Sequence, residues 1–79
     1  MTWNYRIFRK TYDSGEHEYS IREAYYHRKN SKNPHSWAAG PIAPVGTELL
    51  DLKADMKYMR MALSKPVLDD QTGKPVKKD

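Results

Sequence analysis

The sequence predicts an α+β fold, a three-stranded antiparallel β-meander (βββα) with one C-terminal helix packed on one face of the sheet. Three observations carry this reading. Residues 3–12 and 18–28 alternate polar and apolar side chains with a period of two, the pattern of half-buried strands. Asp13-Ser14-Gly15 lies between them and has the composition of a tight hairpin loop. Residues 47–64 hold the one convincing helical pattern, with acids in the first turn and apolar residues recurring every three or four positions.

The first strand, WNYRIFRKTY, is rich in the aromatic and β-branched types that suit a pleated surface. Trp3, Tyr5 and Ile7 fall on one side, and Asn4, Arg6, Phe8 and Lys10 on the other. The second strand, about Glu18 to Arg28, returns as the other arm of a hairpin. Its register has two solutions. With a three-residue Asp13-Ser14-Gly15 loop, Ile7 faces Ile21 and Trp3 faces Tyr25. Trp3, Tyr5, Ile7, Tyr19, Ile21 and Tyr25 then form a core face, and Arg6, Phe8, Lys10, Arg22, Tyr26 and Arg28 an outer face. With a two-residue Ser14-Gly15 loop the second strand flips, as any one-residue slip requires. Arg6 then meets Glu23, but apolar and charged residues mix on both faces. Turn chemistry and segregation favour the first register; cross-strand charge favours the second, because the first sets Arg6 against Arg22 and turns Glu23 to the core side.

Residues 29–34, KNSKNP, read as a loop, and a short third strand is expected around His35 to Ala39, closed by Gly40-Pro41. Pro41 and Pro44 make residues 42–46 an extended connector. Thr47 is the expected N-cap, with Glu48 and Asp51 where the helix dipole favours acids. The helix should stop near Ser64, since Pro66 forces Lys65 out of helical geometry. Beyond a single domain of residues 1–68, residues 69–79 are polar and are expected to form a disordered tail.

On the helix, Leu49, Leu52, Met56, Met59 and Leu63 fall within roughly one quarter of the circumference and are the expected core stripe. Leu50, Ala54, Tyr58 and Met61 form a second apolar stripe nearly opposite. Between the two run an acidic edge (Glu48, Asp51, Asp55) and a basic edge (Lys53, Lys57, Arg60). A helix over one small sheet buries a single side. The second stripe is therefore the candidate interaction surface, for a protein partner or for a second copy of the chain as a homodimer. The plainer reading is that scattered exposed apolar residues need no partner.

Composition limits the chemistry. A 79-residue chain builds one thin core and has little room for an active-site cleft. It contains no cysteine, which rules out a disulfide framework and a thiolate zinc site. The start, MTWNYRIFRK, lacks the apolar run of a signal peptide, and no stretch approaches the roughly 20 apolar residues of a membrane span. A soluble cytoplasmic protein is expected. The net charge is +4, and the excess sits in residues 1–46, with seven Lys/Arg against four Asp/Glu. Basic residues interleaved with aromatics at Arg6, Phe8, Lys10, Arg22, Tyr26 and Arg28 make nucleic-acid binding by the outer sheet face the alternative function. Their plainer role is to cover the solvent side of the sheet with long aliphatic stems. His17, His27 and His35 match no metal-ligand spacing, Glu16, Glu18 and Glu23 have no pocket around them, and there is neither a nucleophile elbow nor a phosphate loop. No catalytic residue, metal or cofactor is expected, and the function read from the sequence is non-enzymatic binding.

WNYRIFR (3–9), IREAYYHR (21–28), the Trp37 and Pro41/Pro44 region and ALSKPVLD (62–69) together resemble a group of short uncharacterised bacterial proteins. Those proteins share a WNYR-type strand, an E-x-Y-Y strand, a Trp strand, a proline-containing connector and a helix ending A-L-x-K-P-V-L-D. The resemblance covers most of residues 2–69 and implies the architecture above; it implies no site residue. The order strand, strand, strand, helix also resembles the ethylene-response-factor type of DNA-binding domain, which reads the major groove with its sheet. That likeness rests on element order alone.

Overall fold

The computed structural model describes residues 2–76. It is a small α+β fold in which a hairpin of two long strands, β1 (Thr2–Thr11) and β2 (His17–Tyr26), forms the centre of the sheet. The register is the one set by the three-residue loop: Trp3 lies opposite Tyr25, Arg6 opposite Arg22, and Ile7 opposite Ile21. The loop closes with the Gly15 amide donating to the Tyr12 carbonyl at 2.8 Å and the Tyr12 amide to the Glu16 carbonyl at 2.9 Å. Gly15 takes φ +92°, the positive value the turn requires at its last residue. The register sets Arg6 beside Arg22 on one face, where Arg22 pairs with Asp70.

The third strand, β3 (Ser36–Trp37), is only two residues long and pairs with Ala24 and Tyr25. The connector follows, pinned where the Ile42 amide donates to the Ile21 carbonyl. Helix α1 spans Leu49–Arg60 and tightens into a 3-10 turn over Met61–Ser64. Lys65 is extended at φ −111°, ψ 156° ahead of Pro66, so the helical segment ends where the proline demands. Its start differs from expectation. Glu48, not Thr47, holds the N-cap position, and Thr47 instead donates its hydroxyl to the Asp51 carboxylate at 3.1 Å.

The sheet has four strands rather than three. β4 (Leu68–Asp69) lies parallel to β1 on its free edge, giving the order β3-β2-β1-β4. It opens a tight turn that returns at Pro75 and Val76, with the Asp69 amide donating to the Lys74 carbonyl and the Val76 amide to the Val67 carbonyl. The Asp69 carboxylate accepts from the Gln71 amide and the Thr72 hydroxyl from the Lys74 amide, the local bonds that make Asp and Thr turn formers. The expected disordered tail is therefore structured from residue 69 to residue 76; residues 77–79 lie outside the described residues. The polarity that made it look disordered is turn chemistry.

This segment covers the sheet face that was expected to lie outward. It folds across the face that carries Phe8 and Tyr26, where Phe8, Ala24 and Leu68 have no exposed surface and Tyr26 only 5%. Trp37 closes that cluster by stacking on Phe8, with ring centroids 5.5 Å apart. The other face carries the helix but is more open. Tyr5, Met59 and Ala62 are buried there, with Ile7, Ile21 and Ile42 packed around them, while Trp3 and Tyr19 of the expected core are exposed. Both faces of one sheet are covered, by two thin half-cores.

Candidate functional site

The residues expected to form an outward nucleic-acid face are for the most part not outward. Arg6, Phe8, Arg22 and Tyr26 are buried; only Lys10 and Arg28 of the set are exposed, at opposite ends of the hairpin. Arg22 lies over the Phe8 ring and pairs with Asp70 at 3.5 Å. Its Nε donates to the Ser20 hydroxyl at 3.1 Å and its Nη1 to the Ala39 carbonyl at 3.3 Å. It ties β2, the residues after β3 and the C-terminal segment together. Trp37 reinforces the same closure by donating its indole N–H to the Asp70 carbonyl at 3.1 Å. The open basic sheet surface is thus corrected to a buried, arginine-containing layer. The likeness to sheet-reading DNA-binding domains stops at element order, because a covered sheet face has no access to a groove.

The helix meets the sheet differently from the expected stripe. Its inward side is Leu52, Asp55, Met59 and Ala62, rotated by roughly 80° from the line through Leu49, Met56 and Leu63. Asp55 sets that rotation. Its carboxylate accepts the Tyr5 hydroxyl at 2.8 Å and the Val45 amide at 3.0 Å, which fixes α1 to β1 and to the connector at once. Burial together with this hydrogen bond pushes the Tyr5 pKa from 10.0 up to about 12, loss of water being the larger cause. Gly46 permits the close approach, since a Cβ there would lie 2.8 Å from the backbone and Cβ of Asp51.

Leu49, Met56 and Leu63 of the expected core stripe are consequently exposed, at 66%, 53% and 68%. Met56 and Leu63 join Ile21, Pro44, Met59 and Arg60 around a shallow, almost wholly apolar recess of about 250 Å³. Of the expected interaction stripe, Leu50 and Met61 are exposed at 76% and 54%, and Ala54 is exposed beside them. Tyr58 is different. Its ring packs edge-on against Trp3 and Tyr5 at 5.6 and 5.2 Å, so it belongs to an aromatic cluster that helps hold the helix. Sequence reasoning found the two apolar sides of the helix; it missed Asp55, whose spacing in the acidic edge gave no sign of an inward hydrogen bond.

A second, chemically distinct recess lies at the far end of the sheet. It measures about 460 Å³ and is lined by Asn4, Arg6, Lys29, Lys32 and Lys65 among others, with no acidic residue in its wall. The three histidines do not gather around either recess. His27 and His35 stack on each other at 3.6 Å, while His17 bonds Thr11 beside the turn. Among the described residues there is no cluster of three or more metal-ligating side chains, and no helix is long and apolar enough to cross a membrane. The chain matches no protein-family model, no curated protein and no solved structure.

Proposed function

We propose that this chain is a small, non-enzymatic, cytoplasmic binding domain that engages a protein surface through its helix, the first candidate partner being a second copy of itself in a homodimer. One observation carries the reading. Five large apolar side chains of α1 and its 3-10 turn, Leu49, Leu50, Met56, Met61 and Leu63, are each more than half exposed, and only Met59 and Ala62 of the helical segment are buried. Solitary exposed apolar residues are ordinary; five on sixteen consecutive helical residues, beside an apolar recess on the sheet, are not. Ala54, small and exposed at the centre of the Leu50/Met61 side, would let a second helix approach closely. Self-association also offsets the small burial that a chain of this size achieves alone.

Light scattering after size exclusion tests this. The wild-type chain should run at twice its 9.2 kDa mass. Leu50→Lys with Met61→Lys, or Met56→Lys with Leu63→Lys, should return it to a monomer with an unchanged circular dichroism spectrum, and the pair that succeeds identifies the side used. Tyr58 is left alone in both variants because its loss would damage the aromatic cluster. A wild-type chain that stays monomeric into the millimolar range would sink the dimer.

A further inference from the structure

We infer that the basic recess at the start of β1 is a binding site for a phosphate group, with Arg6, Lys29, Lys32 and Lys65 in its wall. Two arginines that are neighbours across the hairpin differ in one respect. Arg6 and Arg22 face each other on the same side of the sheet and are 5% and 4% exposed. Arg22 has its counter-charge in Asp70. Arg6 donates to the Tyr26 hydroxyl at 3.0 Å and to the Pro66 carbonyl at 2.9 Å, and its buried Nε has no partner. Those acceptors are neutral, and among the described residues no carboxylate pairs with Arg6. Neutral oxygens satisfy donors but leave the charge; a guanidinium withdrawn from water calls for an anion.

The surroundings supply the place for one. Arg6 lines two neighbouring recesses of about 460 and 300 Å³, both also lined by Lys32 and Lys65, and neither has an aspartate or glutamate in its wall. Lys29, Ser31 and Asn4 complete the larger one, and the buried Asn4 Oδ1 is likewise without a partner. Like charges gathered in an acid-free hollow repel one another, a strain that a bound anion relieves. Four cations around one hollow suit a phosphate monoester or inorganic phosphate better than a single carboxylate. The planar guanidinium offers a fork of donors and the lysines act as mobile point charges, the combination that phosphate sites use. The volume falls in the range of small-ligand sites. The elements that build this hollow are the start of β1, the loop after β2 and the exit from the helix, so it is separate from the apolar side of α1.

Isothermal titration calorimetry at low ionic strength, in a buffer free of phosphate and sulfate, tests the site with three probes: inorganic phosphate, a nucleoside 5′-monophosphate and the matching nucleoside. Saturable one-to-one binding of the first two and none of the nucleoside is expected. A monophosphate bound about tenfold more tightly than phosphate would identify an ester as the ligand, and equal affinities would identify the free ion. Lys32→Ala with Lys65→Ala should weaken binding by about tenfold or more, whereas Lys53→Ala with Lys57→Ala, which removes the same charge from the exposed side of the helix, should not. Equal losses in the two variants would reduce the effect to net charge and overturn the site. So would nucleoside binding as tight as the monophosphate, or no binding of either phosphate probe.

Discussion

Tyr5 shows how much of this molecule is decided by single hydrogen bonds. Its ring lies in the helix-side half-core, its hydroxyl donates to Asp55, and Asp55 in turn accepts from Val45. The native state therefore holds the phenolic proton to a pKa of about 12, where an unfolded tyrosine releases it near 10. The sign follows from proton counting. Between pH 10 and pH 12 the native state retains a proton that the unfolded state has lost, so the contribution is complete below pH 10 and is lost as pH rises through 12. It is worth at most about 3 kcal/mol. Tyr5→Phe should cost about 1 kcal/mol at neutral pH through the lost hydrogen bond, and should flatten the alkaline fall in stability relative to wild type. Urea unfolding at pH 8 and pH 11 measures both; parallel losses in the two proteins would separate the alkaline instability from Tyr5. The inward place of Tyr5 was legible in the alternation of β1. The inward place of Asp55 was not, because it depends on the connector bringing Val45 back to the helix, a contact no local pattern encodes.

At the scale of elements, the hairpin was the readable part and the C-terminal segment the unreadable one. A three-residue loop with glycine last fixes one register, and the register fixes which side chains share a face. Residues 67–76 carry a turn signal in Asp69, Thr72 and Gly73 and a single fully buried anchor in Leu68, too little apolar content to distinguish a folded edge from a polar tail. What holds the segment is spread across distant residues: Arg9, whose carbonyl accepts from the Asp70 amide, together with Arg22 and Trp37. Gly73 is its tightest point. It has φ +70° and lies directly beneath the Trp37 ring, where a Cβ would overlap the ring atoms. Gly73→Ala combines a disfavoured backbone with a displaced tryptophan and should cost about 2 kcal/mol or more, a fall in Tm of roughly 10 °C for a domain of this size. Trp37 fluorescence, read in a Trp3→Phe background, should shift to the red as the ring loses Phe8 and Asp70. An unshifted spectrum and melting point would show that residues 70–73 do not press on Trp37.

At the scale of the whole molecule, the two half-cores stand on opposite faces of the same two strands, and neither is large. Phe8, Ala24, Tyr26 and Leu68 with Trp37 make one, and Tyr5, Met59 and Ala62 with three half-buried isoleucines make the other. Burying Phe8 and Leu68 contributes about 1.5–3 kcal/mol each, a large part of the net stability a domain of this length can have. The helix cannot compensate for their loss, since its segment reaches β1 more through the 3-10 turn than through α1 itself. The last stretch of the chain, the part that looked dispensable, is therefore predicted to be required for the whole fold. A chain ending at Lys65 would lose Leu68, expose the Phe8 face, and leave Arg22 without Asp70 and Arg6 without the Pro66 carbonyl. Its far-ultraviolet circular dichroism should show no cooperative thermal transition, whereas the full chain should melt in one step. A truncated chain that still melts sigmoidally would mean that the hairpin and helix fold by themselves, and that residues 66–76 merely cover a face already formed.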